Sequence, residues 1–183
     1  MRNPTILLSL ATVLLLSGCA TIKPEQCATT DWRQLGVEDG RAGYASTRLA
    51  KHREACAEVK VAPDAKAWEA GRSIGLREFC RLPNAVDHGL DRKSYERVCD
   101  DPRFARLYET ARSLGNLRYE IETIDKDIES RDRQLITNKK LSDKRRAEIR
   151  SEIRNLERRR DRVRSDLRHA EYRLDIVRRE TGI

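Results

Sequence analysis

Aromatic side chains are scarce in this chain: two Trp, two Phe and five Tyr among 183 residues, beside a single Met. With hydrophobic residues at only 38%, there is too little bulk to fill a doubly wound enzyme domain or a β-barrel. No run of 18 or more apolar residues follows the N-terminus, which excludes a polytopic membrane protein. Alternation of the strand type is missing, and so is any C-x2-C pair. What is abundant is charge. Lys and Arg number 38 against 30 Asp and Glu, for a net charge of +8. The length allows one domain or two small ones.

Residues 1–18 read as an export signal. Arg2 supplies the positive end and Ile6 to Leu16 the apolar run. The run closes on Leu16-Ser17-Gly18-Cys19, which resembles the bacterial lipobox, where the thiol takes a diacylglycerol before cleavage. The mature chain is expected to begin at Cys19, carry palmitate-type acylation there and hold to a membrane, since two or more acyl chains anchor stably. By resemblance to enterobacterial sorting, Ala20 after the Cys favours the outer membrane, periplasmic side.

Four cysteines remain: Cys27, Cys56, Cys80 and Cys99. An even number in an oxidising compartment argues for two disulfides. Three pairings are possible and spacing does not choose among them; Cys27–Cys56 with Cys80–Cys99 is preferred. A zinc site from His52, Cys56, Cys80, His88 and Cys99 is the competing arrangement. It lacks the tight ligand spacings of zinc signatures, so neither metal nor cofactor is expected.

Charge divides the chain. Residues 19–102 hold 14 basic and 14 acidic side chains, whereas 103–183 hold 23 and 16. Asp101-Pro102, a good N-cap before a residue suited to the first turn, marks the division. The expected organisation is a Cys-containing helical module over 19–101 and a basic helical hairpin over 102–183. Within the first region, Trp68-Glu69-Ala70-Gly71-Arg72-Ser73-Ile74-Gly75 is echoed by Tyr108-Glu109-Thr110-Ala111-Arg112-Ser113-Leu114-Gly115, and more faintly by Glu38-Asp39-Gly40-Arg41. Small residues stand four apart at Gly36/Gly40, Gly71/Gly75 and Ala111/Gly115, on one face of a helix. Each helical glycine costs about 1 kcal/mol relative to Ala, and close approach of a neighbouring backbone is the expected compensation. A phosphate-binding loop is the rival, but no strand precedes any copy. Asp31-x-x-Gln34 resembles a capping box, and Pro63-Asp64 precedes the Trp68 segment. Segment 83–93, with Pro83, Asn84 and Gly89, reads as loop. Trp32, Trp68, Phe79, Tyr95, Phe104 and Tyr108 are the expected core.

Taken in order, Trp32-x3-Gly36-x2-Asp39-Gly40-x2-Gly43, His52-x3-Cys56, Gly71-x3-Gly75-Leu76-x2-Phe79-Cys80, Gly89 and Tyr95-x2-Val98-Cys99 are similar to a proteobacterial lipoprotein family, the domain of unknown function 2799. The resemblance covers about residues 19–120. It implies an envelope location and a helical cysteine-bearing module, and it brings no catalytic residue.

Beyond Asp101 the apolar spacing becomes heptad-like. Leu114, Ile121, Ile128 and Leu135 recur with Leu117 and Ile124 beside them. After Thr137-Asn138-Lys139-Lys140, a second series runs Ile149, Leu156, Val163, Ala170 and Val177, with Ile153, Leu167 and Leu174. Asn138 is expected to end the first helix and Ser142 to cap the second, giving an antiparallel coiled-coil hairpin and an all-α chain. Arg131 and Arg160 interrupt the seam, so acidic partners are expected, with Glu120 or Glu122 facing Arg160. Otherwise the seam serves an oligomer interface.

The run Arg158-Arg159-Arg160-Asp161-Arg162-Val163-Arg164 can neutralise phosphates. An exported chain meets no chromosome, so nucleic acid is not an expected partner. Arg158, Arg159, Arg162 and Arg164 are instead candidates for anionic lipid, lipopolysaccharide, a cell-wall polymer or an acidic envelope protein. Neighbouring Glu152, Glu157 and Asp166 allow the plainer reading of a self-paired, solvated surface. The expectation is a non-enzymatic lipoprotein acting through a basic arm. A binding module for an anionic component is the alternative. A hydrolase is remote, because His52, His88 and Asp87 have no diagnostic spacing.

Overall fold

The computed structural model describes residues 21–183; the expected signal segment over 1–18 and Cys19 lie outside the described residues. The described residues are all helical apart from turns and connecting segments. After a short 3-10 turn at Pro24–Gln26 come α1 (Trp32–Arg41), α2 (Arg48–Cys56), α3 (Ala65–Phe79), α4 (Leu82–Leu90), α5 (Pro102–Thr137) and α6 (Asp143–Thr181).

The helix starts follow local capping chemistry. Asp31, Asp64, Asp101 and Ser142 each accept a hydrogen bond from a backbone N–H one turn or less downstream: Gln34, Ala67, Arg103 and Arg145. The box at Asp31 is only half formed, because the Gln34 side chain donates to Glu38 instead of returning to the cap. Asn138 ends α5, and Gly182, at φ +81°, closes α6 in the left-handed conformation that glycine adopts without strain.

The small-residue faces meet each other. Gly36 and Gly40 of α1 lie against the backbone of α3, and Gly71 and Gly75 of α3 lie against that of α1. A Cβ on Gly71 would overlap the Arg33 carbonyl oxygen and stand 3.0 Å from the Val37 nitrogen. The copy at 108–115 has a different partner, since Gly115 packs on the carbonyls of Gly89 and Leu90. Backbone contact, and not phosphate, is what these glycines serve.

Segment 83–93, expected as loop, is largely helix. Pro83 sits in the first turn of α4, where no N–H is needed, and the Asn84 amide donates to the carbonyls of Glu78 and Phe79 at the end of α3. Ala85, Val86 and Gly89 form the buried face. The turn-like residues were misleading because Gly89 is there to let α5 approach, with the Tyr108 carbonyl against it.

Two clusters make up the core. One holds Cys27, Trp32, Cys56 and Trp68. The other holds Phe79, Val86, Phe104, Leu107, Tyr108, Ala111 and Leu114, and it takes in Ala170, Leu174 and Val177 from α6. The base of the hairpin therefore belongs to the second cluster, so packing is continuous across Pro102. Tyr95 is partly buried beside it, 5.0 Å from the rings of Phe104 and Tyr108. Because α3 begins in the first cluster at Trp68 and ends in the second at Phe79, the two are stacked along it, about 16 Å apart at 1.5 Å per residue.

Helices α5 and α6 then run on as an antiparallel hairpin. Arg106 with Glu180, Arg118 with Glu171, Asp125 with Arg160, and Arg131 with Glu152 step along the pair in opposite directions. Arg160 thus pairs with Asp125 at 3.1 Å, not with Glu120 or Glu122 as expected. Glu120 takes Arg159 across the seam, and Glu122 takes Lys126 one turn along its own helix. The register is set by the buried apolar residues Ile124, Ile149 and Val163, and the long arginine side chains adapt to it.

Candidate functional site

Among the described residues, the most enclosed polar group surrounds Asp39. This carboxylate projects from α1 between its glycines and is only 5% exposed. Its Oδ2 accepts from Trp68 Nε1 at 2.8 Å and from His52 Nε2 at 2.7 Å. The Arg48 guanidinium lies 3.6 Å from Oδ1, making charge contact without a hydrogen bond, and covers the Tyr44 ring. With Nε2 given to Asp39, the other ring nitrogen of His52 accepts from the Thr21 hydroxyl at 2.7 Å. Thr21, His52 and Asp39 therefore stand in a hydroxyl–imidazole–carboxylate row.

The imidazole at the centre of that row is enclosed. His52 is 0% exposed, wedged between Trp32 and Trp68 with both ring centroids 6.2 Å away. The indoles of Trp32 and Trp68 cover this imidazole, and Thr21, partly exposed, is the end of the row nearest solvent. Trp68, Asp39 and His52 bring α1, α2 and α3 together, and Thr21 ties in the segment ahead of Cys27.

The cysteines pair as Cys27–Cys56 and Cys80–Cys99. The first fastens the N-terminal segment to the end of α2. The second closes the irregular strap over 91–100, which is held further by the Tyr108 hydroxyl donating to the Lys93 carbonyl and by Glu96 accepting from Ala45 N. The zinc arrangement is not assembled. Cys56 and Cys80 sit in different bridges, His52 is in the Asp39 group, and His88 stacks edge-on against Phe79 at 4.9 Å. Burial, with the Lys93 charge next, lowers the His88 pKa below its ordinary value. Asp87 is exposed.

The four candidate arginines do not act alike. Arg159 crosses the seam to Glu120 at 2.7 Å, and Arg164 lies 4.0 Å from Asp161. Arg158 touches only the neutral Asn155, and Arg162 has no ion pair among the described residues. Other exposed arginines of α6 without ion pairs, Arg150 and Arg154 among them, were not singled out from the run 158–164. Their signal in the sequence is the four-residue spacing 150, 154, 158, 162, which places them along one side of α6. From Glu120 to Asp166, every hydrogen bond and ion pair among the described residues stays within α5, α6 and their connection. The outer part of the hairpin is therefore a free arm. From Gly115 to Thr137 it extends about 33 Å past the second core cluster, at 1.5 Å per residue.

Residues 31–113 match the model of a family described as "Protein of unknown function (DUF2799)". The match spans α1 through the first third of α5 and stops where the arm leaves the core. No curated protein and no solved structure matches the chain.

Proposed function

We propose that this chain, which carries a DUF2799 domain over residues 31–113, is a non-enzymatic envelope lipoprotein that presents a basic docking arm from a lipid-anchored head. The single observation that carries the reading is the free arm: two helices continue together beyond the core without touching it. A helical pair of this length adds nothing to the head that its first turns do not already supply, so it is suited to reach. The anchor at Cys19 and the outer-membrane, periplasmic location rest on the lipobox-like Leu16-Ser17-Gly18-Cys19 with Ala20. Two disulfides suit that oxidising compartment. The sealed His52 supports a binding role over hydrolysis.

The test has two arms in intact cells. Metabolic labelling with a palmitate analogue should mark the wild type and spare Cys19→Ala; labelling of both would remove the anchor from the reading. Excision of residues 121–134 together with 149–162 removes two heptads from each helix and keeps their pairing. The shortened protein should retain the head and lose the neighbours that cross-link to the full-length arm. An unchanged set of cross-linked neighbours would refute the docking role.

A further inference from the structure

Helix α6 carries a face that the hairpin does not use. Its seam is made by Ile149, Leu156, Val163, Ala170, Leu174 and Val177. On the 3.5-residue heptad repeat of the seam, about 103° per residue, Arg158 falls directly opposite that seam, Arg154 and Arg162 flank it, and Arg150 stands at the edge of the sector. All four are exposed, and none is in an ion pair among the described residues. The cations that stabilise the hairpin are others: Arg131, Arg159 and Arg160 reach across to carboxylates. Successive members of the free row rise by about 6 Å, so the four cover about 18 Å of helix. Asp161 is the one acid near the centre of this sector, and it is engaged by Arg164. As far as Tyr172 the rest of the sector holds Ser151, Ser165, His169 and a further exposed arginine, Arg168, and Tyr172 itself is 64% exposed.

We propose that this outward face, Arg150, Arg154, Arg158 and Arg162 with Tyr172, seats on the phosphate layer of an anionic phospholipid leaflet. The inference rests on the docking-arm reading and names the partner. Each arginine near such a surface contributes through the negative surface potential. Tyrosine is the side chain that settles at headgroup depth, with its ring in the apolar boundary and its hydroxyl in water. Between Arg150 and Tyr172 the sector offers no large aliphatic side chain, so the arm lies on the leaflet and does not enter it. A protein partner would be met by an apolar centre ringed by charge, which this face lacks.

Residues 21–183 contain both disulfides and both core clusters, so this segment, free of the acyl anchor, isolates the arm's own affinity. Co-sedimentation with vesicles of phosphatidylglycerol and phosphatidylcholine, and with phosphatidylcholine alone, reads it directly. Binding should require the anionic lipid and fade at high salt. R154Q/R158Q/R162Q should weaken it on the order of 100-fold, from a factor of about five per arginine. K51Q/K60Q/K66Q removes the same charge from exposed positions of the head and should weaken it less than threefold. Tyr172→Ser should cost a few-fold with the charge unchanged. Circular dichroism confirms that each variant stays helical. No binding to the anionic vesicles, or an equal loss in the two triple variants, overturns the proposal. A wild-type failure here combined with loss of cross-links on arm excision would leave docking intact and reject the lipid as its target.

Discussion

Replacing Gly71 by alanine tests the tightest contact in the fold, because two opposing effects predict opposite signs. In an open helix the change stabilises by about 1 kcal/mol, since alanine has the higher helix propensity. At Gly71 the new methyl group would stand 1.9 Å from the Arg33 carbonyl oxygen and 2.9 Å from its carbon. Both obstacles are helical backbone, so no side chain can swing aside. α1 and α3 would have to part by roughly an ångström along a contact that also includes Gly36, Gly40 and Gly75. Overpacking of a tight core costs about 1–3 kcal/mol and sometimes more. Separation would also loosen Trp68 from Asp39, whose hydrogen bond bridges the same two helices. A net loss of about 2–3 kcal/mol is expected, equivalent to a fall of roughly 5–10 °C in Tm for a chain of this size. Thermal denaturation followed by circular dichroism, with Ala70→Gly as the exposed-site comparison, measures it. An unchanged or raised Tm for Gly71→Ala would show that the helices are not in backbone contact.

Asp39→Ala should cost about 3–5 kcal/mol in chemical denaturation, because it strands Trp68 Nε1, His52 Nε2 and the Arg48 charge together; a loss below 1 kcal/mol would mean that the group is not sealed. Removing Cys27–Cys56 or Cys80–Cys99 by paired alanine substitution should cost about 3–4 kcal/mol each in the chain-entropy account, for separations of 29 and 19 residues, and wild type under reductant should show a similar combined loss. The folded pKa of His88 lies below its unfolded value, so the unfolded chain binds more protons between the two. Stability should therefore fall as pH drops through and below about 6.5, and His88→Gln should flatten that slope; an identical slope in the variant would refute the assignment. Charge reversal at Glu120 should lower stability by less than 1 kcal/mol, with recovery in E120R/R159E, since the pair is exposed and lies across the seam; absence of recovery would place the register elsewhere.

What the sequence determined by itself was everything carried by local spacing. Heptads at 114–135 and 149–177, caps at Asp101 and Ser142, the stop at Asn138 and the four-residue spacing of small residues all operate within one or two turns. Each can be read from neighbours in the chain. Tertiary structure decided which surfaces meet. Gly89 and Pro83 look like loop residues until α5 lies against the first and α3 ends above the second. Asp39 and His52 are thirteen residues apart in different helices, and nothing local says that Trp68 will close over both. The arginine run shows charge, but only the set of ion pairs separates Arg159, held by Glu120, from Arg154, Arg158 and Arg162, left facing outward. The reason is geometric. A long flexible cation chooses among carboxylates by where the packed apolar seam has placed them, and that seam forms between segments far apart in the chain.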